Sequence, residues 1–306
     1  MATRHLGPGL AVAYRLAGCW LLAVLALESA IAAPQDATAA PATNPAAQPT
    51  SPQDQAENTG DDFIRPLTLL QFFYEYETAP GSGLAAGTTS TLTTDTMKLR
   101  GDLRIDLAPQ WAVGLRADLP FVAKNPISST NPAGNYLFGL GDADVQAALL
   151  HEFDTRWAAG FGARLTTPTG GDTLGTGKWQ IMPIVGARYA LYELGPNSYL
   201  EPLVRYEVSI AGDPTKKNIR DLQFAPTVNF SLPDHWFVMF YPSADIRVNY
   251  GPPVTGQTGP LFLPFDVRIG RKLNENAVLS LEVGVPLVKE YPVYNFKTEV
   301  RLNALF

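Results

Sequence analysis

The chain has a single cysteine, Cys19, in 306 residues, and three histidines, His5, His151 and His235. One thiol excludes a disulfide framework, a multi-cysteine zinc site and an iron–sulfur cluster. Charge is scarce as well: Asp, Glu, Lys and Arg make up 17% of the residues and the net charge is −6, which argues against a basic nucleic-acid binder. Beyond residue 61 no apolar run is long enough for a membrane-spanning helix, and no stretch keeps a helical period. The histidines do not build a serine–histidine hydrolase, since His5 lies in the N-terminal segment and the other two flank short turns. Gly171–Lys178 has part of a phosphate loop, but Asp172 stands where its first glycine is required and Trp179 follows the lysine. No cofactor, no metal and no enzymatic activity are expected.

What is present begins with a targeting signal. Arg4 and Arg15 precede the apolar run Leu16–Leu27, and Ala30-Ile31-Ala32 forms a small-residue processing site. This layout predicts a signal peptide over 1–32, cleaved after Ala32. Leu16-Ala17-Gly18-Cys19 also fits a lipoprotein processing box, against which stand Arg15 before it and the main apolar run after it. Residues 33–61 are Pro, Ala, Thr, Gln and Asn with almost no large apolar side chains. Such a segment cannot offset its conformational entropy by burial, so it reads as a disordered periplasmic linker.

From 62 to 306 the pattern is alternation. In the last segment Phe296, Thr298, Val300, Leu302 and Ala304 interleave with Lys297, Glu299, Arg301 and Asn303, with Tyr294 and Phe306 extending the apolar row. Leu99, Leu103, Ile105 and Leu107 likewise oppose Arg100, Asp102, Arg104 and Asp106, and Leu279, Leu281, Val283 and Val285 oppose Ser280 and Glu282. A period of two marks strands with one apolar and one polar face. Short turns fall at Ala108-Pro109, Asp154-Thr155, Gly195-Pro196-Asn197, Pro233-Asp234 and Asn274-Glu275, and longer loops near 78–92, 122–135, 168–177, 211–218 and 251–260, with a tight sixth near Tyr291. The segments number about twelve, each near the ~10 residues that cross a bilayer at a tilt. The fold class is therefore all-β: a transmembrane antiparallel up-and-down β-barrel in the outer membrane, with short turns at one end and long loops at the other. Pro183, Pro202, Pro226, Pro242, Pro264 and Pro286 sit inside these segments, where each removes a ladder donor, and predict bulges or local breaks.

Alternation alone does not tell a barrel from a soluble sandwich. Three features favour lipid contact. Trp111, Trp157 and Trp236 each begin a segment just after a short turn, at one level, as an interfacial girdle requires. Trp179, with Phe121, Tyr250 and Tyr294, falls at the opposite ends. The chain stops on Phe306 at the end of an alternating strand, a pattern that resembles the assembly signal read by the barrel-assembly machinery.

The polar face then lines a lumen. Its candidate charges are Arg100, Asp102, Arg116, Asp118, Asp144, Arg164, Arg188, Arg205, Asp245, Arg247, Asp266, Arg268, Glu282, Lys297, Glu299 and Arg301. Folding at the short turns pairs Asp102 with Arg116, Arg100 with Asp118, Arg268 with Glu282 and Asp144 with Arg164. Two readings stay open: a salt-bridge network that packs a narrow lumen, and a pore whose charged rings select a solute.

Phe138-Gly139-Leu140-Gly141-Asp142-Ala143-Asp144, Leu174–Trp179, Ala211-Gly212-Asp213 and Ser231–Trp236 follow one another in an order similar to the outer-membrane barrel family named for the meta-pathway of phenol degradation. The resemblance spans most of 62–306. It implies a transporter or channel connected with aromatic-compound catabolism, without enzymatic activity, and brings no binding residues with it. The functional expectation is a passive outer-membrane channel for small polar or aromatic-acid solutes. The runner-up is a non-conducting structural or partner-binding barrel. The expected partners are the bilayer, the barrel-assembly machinery and a small solute, with no nucleic acid.

Overall fold

The computed structural model describes residues 62–83, 89–171, 173–243 and 245–306. They form one antiparallel sheet of fourteen strand segments. In chain order these are β1 (Leu69–Ser82), β2 (Thr89–Ala108), β3 (Trp111–Lys124), β4 (Leu137–Leu140), β5 (Asp144–Glu152), β6 (Trp157–Thr166) and β7 (Lys178–Ala190). They continue as β8 (Tyr199–Gly212), β9 (Arg220–Ser231), β10 (Trp236–Phe240), β11 (Ile246–Asn249), β12 (Leu261–Asn274), β13 (Ala277–Lys289) and β14 (Phe296–Leu305). Both β4 and β5 pair with β3, and both β10 and β11 lie between β9 and β12, so each of these two pairs is one broken crossing. The first strand pairs with the last, Leu69 opposite Leu305 through Thr78 opposite Phe296, and the ring of twelve crossings closes without an edge. Closure leaves no open strand edge in the sheet, the condition for strands to cross a hydrocarbon layer.

The burial pattern decides which face meets lipid. Along β13, Leu279, Leu281, Val283 and Val285 are exposed, whereas Ser280, Glu282 and Gly284 between them are buried. Arg268 on β12 is 0% exposed while its neighbour Ile269 is 45% exposed. A soluble sandwich would show the reverse, so the apolar row is an outer, lipid-facing surface and the polar row an interior. Trp111, Trp157 and Trp236 are the first residues of β3, β6 and β10, each exposed just beyond a short turn, and Trp179 is exposed near the start of β7 at the long-loop end. Tyr294 departs from its expected place. It lies outside β14, is fully buried, packs on Phe262 with ring centroids 4.8 Å apart, and donates its hydroxyl to Asp266 Oδ1 at 2.6 Å. A tyrosine at a strand end can turn inward when a carboxylate waits there, a choice that period-two alternation does not encode.

The in-strand prolines are accommodated in two ways. Pro202 of β8 faces Pro226 of β9, and Pro264 of β12 faces Pro286 of β13, the latter beside a register shift at Leu263/Pro264. Pro242 lies in the break between β10 and β11, which Pro226 and Pro264 flank from either side. Five residues, 241–245, stand opposite three on β9, 225–227, so the crossing bulges at the place where donors are missing. Tyr241 has a φ of 50° at this point.

Before β1, residues 62–67 form no strand. Phe63 and Ile64 are buried inside the short-turn end among Ala112, Ala148, Leu150, Ala158, Met182, Ile184, Leu203 and Ala225. The interior is thus not polar throughout. At the short-turn end it has an apolar floor, and small residues make the room: a Cβ on Gly160 would stand 3.2 Å from Ile64 Cδ1, and one on Gly114 would stand 3.1 Å from Pro66 Cγ. Two glycines that look like weak strand residues therefore let the N-terminal segment approach the wall.

Candidate functional site

Above that floor the lumen holds a cavity of about 510 Å³, walled mainly by charged and polar side chains. The hairpin registers place the expected pairs. Asp102 lies opposite Arg116 and Arg100 opposite Asp118. Both are two-point contacts: Arg100 Nε and Nη2 reach the Asp118 oxygens at 2.7 and 2.6 Å, and Arg116 reaches Asp102 at 2.6 and 3.2 Å. Paired forks of this kind fix direction as well as charge. Arg268 lies opposite Glu282, contacts it closely, and also reaches Glu299 at 3.2 Å.

The fourth pair differs from its expected form. Arg164 lies opposite Gln146 and hydrogen-bonds it at 3.1 and 3.3 Å, while Asp144 is a diagonal neighbour at 3.4 Å. The turn at Phe153–Arg156 is longer than a two-residue loop, which moves the register by one same-face position. Arg188 also departs from the role of a free lumen charge. Its Nε donates to Asp62 Oδ2 at 2.5 Å, clamping the N-terminal segment. Glu201 completes that clamp by accepting the backbone N–H groups of Phe63 at 3.1 Å and Ile64 at 3.2 Å. Neither Asp62 nor Glu201 was among the sequence candidates. The only sequence signal for them is a polar residue at an inward position just where the inner face otherwise turns apolar.

The remaining charges form a connected group on β11 to β14. Lys297 contacts Asp245, lies 2.7 Å from Glu282 and 4.0 Å from Asp266, and Asp245 also meets Arg247 at 3.1 Å. The oxygens of Asp245, Asp266 and Glu282 lie close enough together to hold a metal ion, but the Lys297 ammonium already supplies the positive charge among them. Arg301 bonds Glu299 at 2.7 Å and stacks 4.1 Å over the ring of Phe73, which Arg100 covers at 4.7 Å. Phe73 is thus an inward aromatic held by cations, a position that alternation assigns to a polar side chain.

Arg205 is the exception. Among the described residues it makes no ion pair or hydrogen bond, and its Nε is buried. It lines the cavity with Arg100, Arg116 and Arg164, and the carboxylates of Glu207, Asp221 and Asp245 line the same cavity without bonding it. Its partner across β7 is Ile184 and across β9 is Gln223, whose amide is engaged with Glu207 at 2.7 Å.

The motif segments turn out to anchor loops. Asp142 accepts hydrogen bonds from the N–H of Gly170 at 3.0 Å and from the N–H and hydroxyl of Thr176 at 2.6 and 2.7 Å, tying the β6–β7 loop to the break between β4 and β5. Asp213 likewise accepts from Thr215 N–H at 2.8 Å, after Gly212 at a φ of 118°. Asp234 and His235 carry positive φ in the β9–β10 turn. His151 stacks on Trp111 at the short-turn end, away from the cavity.

No family model matches the chain, and no curated protein matches it in sequence. Solved structures of other barrels are similar to it. The KdgM porin matches at 11% identity over 77% of this chain and 99% of its own, with a TM-score of 0.41. The NanC porin matches at 10% identity over 78% and 98%, with a TM-score of 0.44. The toluene transporter TbuX of Ralstonia pickettii matches at 8% identity over 82% and 92%, with a TM-score of 0.41.

Proposed function

We propose that this chain is a passive outer-membrane channel for small polar or aromatic-acid solutes, related to the meta-pathway barrel family and exported by a signal peptide over 1–32 that is then removed. The observation that carries this reading is the interior space of about 510 Å³, lined by charged side chains, inside a closed barrel whose outer face is apolar. A barrel built only as a scaffold has no need to keep such a space open, because apolar side chains would pack it at lower cost than buried ions. Charged rings facing a narrow passage set which solutes enter.

A second reading, a non-conducting structural or partner-binding barrel, draws on the buried Phe63–Ile64 segment at the short-turn end. Planar-bilayer recording separates the two. The channel reading expects a small single-channel conductance, well below that of a general porin, which rises when Phe63 and Ile64 are both replaced by Gly. An intact, heat-modifiable barrel that passes no current in either form supports the structural reading. Porin-sized conductance in the unaltered protein would mean that the salt-bridge filling is wrong.

A further inference from the structure

The cavity joins two surfaces of opposite character. Its floor is apolar: Phe63, Met182 and Leu203 line it, and all three are buried in the cluster that also contains Ile184 and Ala225. On the same strand, two residues beyond Leu203 and directly opposite Ile184, stands Arg205. The other arginines lining the cavity, Arg100, Arg116, Arg164, Arg247 and Arg301, each hold a carboxylate. Arg205 holds none among the described residues. A guanidinium kept in a barrel interior without a partner is costly, and its fork is suited to two-point contact with a carboxylate. Arg100, Arg116 and Arg164 on the same cavity wall are already neutralised by Asp118, Asp102 and Asp144, so the free donor for an anion at this spot is Arg205 itself.

We propose that Arg205 and the Phe63–Met182–Leu203 floor form a binding site for a monocarboxylate with an apolar body, such as an aromatic or branched aliphatic acid. The carboxylate takes the free fork of Arg205 while the body rests on the ring and thioether below it, so that neither the charge alone nor the hydrocarbon alone satisfies the site. The N-terminal segment is then part of the site: Asp62, Arg188 and Glu201 hold Phe63 in the position from which it forms the floor. This deepens the channel reading by narrowing its solutes to acids with an apolar body and assigning the residues that hold them, and rests on it for its purpose, but the site itself can be tested without any current.

Titration calorimetry on the detergent-solubilised full barrel would use three probes: benzoate, acetate, which lacks the body, and benzyl alcohol, which lacks the charge. Benzoate should bind about tenfold or more tighter than either, since a charge-assisted bond and a buried ring each contribute on that scale. Arg205→Gln should reduce benzoate affinity to that of benzyl alcohol. Phe63→Ala should reduce it toward that of acetate and leave acetate unchanged. This second variant decides the matter if Arg205→Gln yields no heat-modifiable barrel. Benzoate binding no tighter than acetate, or unaltered by these changes, would overturn the proposal, as would no benzoate binding to the intact barrel. A barrel that binds benzoate but passes no ions refutes the channel reading and leaves the site standing; a conducting barrel blind to benzoate does the opposite.

Discussion

Lys297→Met isolates the electrostatics of the buried charge group. The change keeps side-chain length and removes one positive charge from among Asp245, Asp266 and Glu282, whose oxygens lie within 4.8 Å of one another. At that separation each carboxylate pair repels by about 3.5 kcal/mol with an effective dielectric constant of about 20. Arg247 still meets Asp245 and Arg268 still meets Glu282, so the full repulsion is not realised. The loss should fall in the range found when a buried ion pair is broken from one side, about 3–5 kcal/mol. The assay is the urea midpoint of the barrel in lipid vesicles, followed by heat-modifiability. A second readout sharpens it. Three carboxylates without their ammonium present oxygen ligands to a hard cation, so calcium should restore much of the midpoint in the variant and leave the unaltered protein where it was. An unchanged midpoint in Lys297→Met, with or without calcium, would show that the ammonium does not neutralise this group.

The double change Glu282→Ala/Arg268→Ala should cost less than the sum of the two single changes, because their mutual contact is lost once rather than twice, while the contacts of Arg268 with Glu299 and of Glu282 with Lys297 count equally on both sides; strict additivity across that cycle would mean the pair does not meet. Deleting Phe306 should block assembly in cells while barely altering the urea midpoint of refolded barrel, since its side chain is 81% exposed; normal heat-modifiable protein in outer-membrane fractions would refute the signal role. In the β5–β6 turn, the backbone N–H groups of Trp157 and Arg156, both at 2.7 Å, hold the Asp154 carboxyl below its usual pKa. A depressed carboxylate stabilises the fold above its unfolded pKa, near ~3.9, and that gain is lost as pH falls through the folded value. The advantage of the unaltered protein over Asp154→Asn should therefore be present at neutral pH and shrink below about pH 4, a modest effect at an exposed site. A constant difference between the two from pH 7 to pH 3 would contradict it.

Period-two alternation and turn chemistry by themselves determined the twelve crossings, the positions of the short turns and three of the four cross-strand pairs, and the levels of Trp111, Trp157 and Trp236 pointed from these to a barrel rather than a sandwich. These are local properties: a strand's two faces and a hairpin's register follow from neighbouring residues. The tertiary structure alone decided the rest. Whether the apolar row faces lipid depends on ring closure, which brings Leu69 to Leu305 across the whole chain. That Phe63 enters the lumen depends on Arg188 and Glu201, more than a hundred residues away, and on glycines in strands β3 and β6 whose small size matters only once Pro66 and Ile64 arrive. Tyr294 turns inward because Asp266 stands two strands away across β13, a neighbour that alternation along a single strand does not reveal. Arg205 looks in sequence like every other inward arginine, one position in an alternating row. Its isolation appears only when the neighbouring carboxylates are seen to be engaged elsewhere, Asp245 by Lys297 and Arg247 and Glu207 by the Gln223 amide, because pairing in a barrel is settled around the ring rather than along the chain.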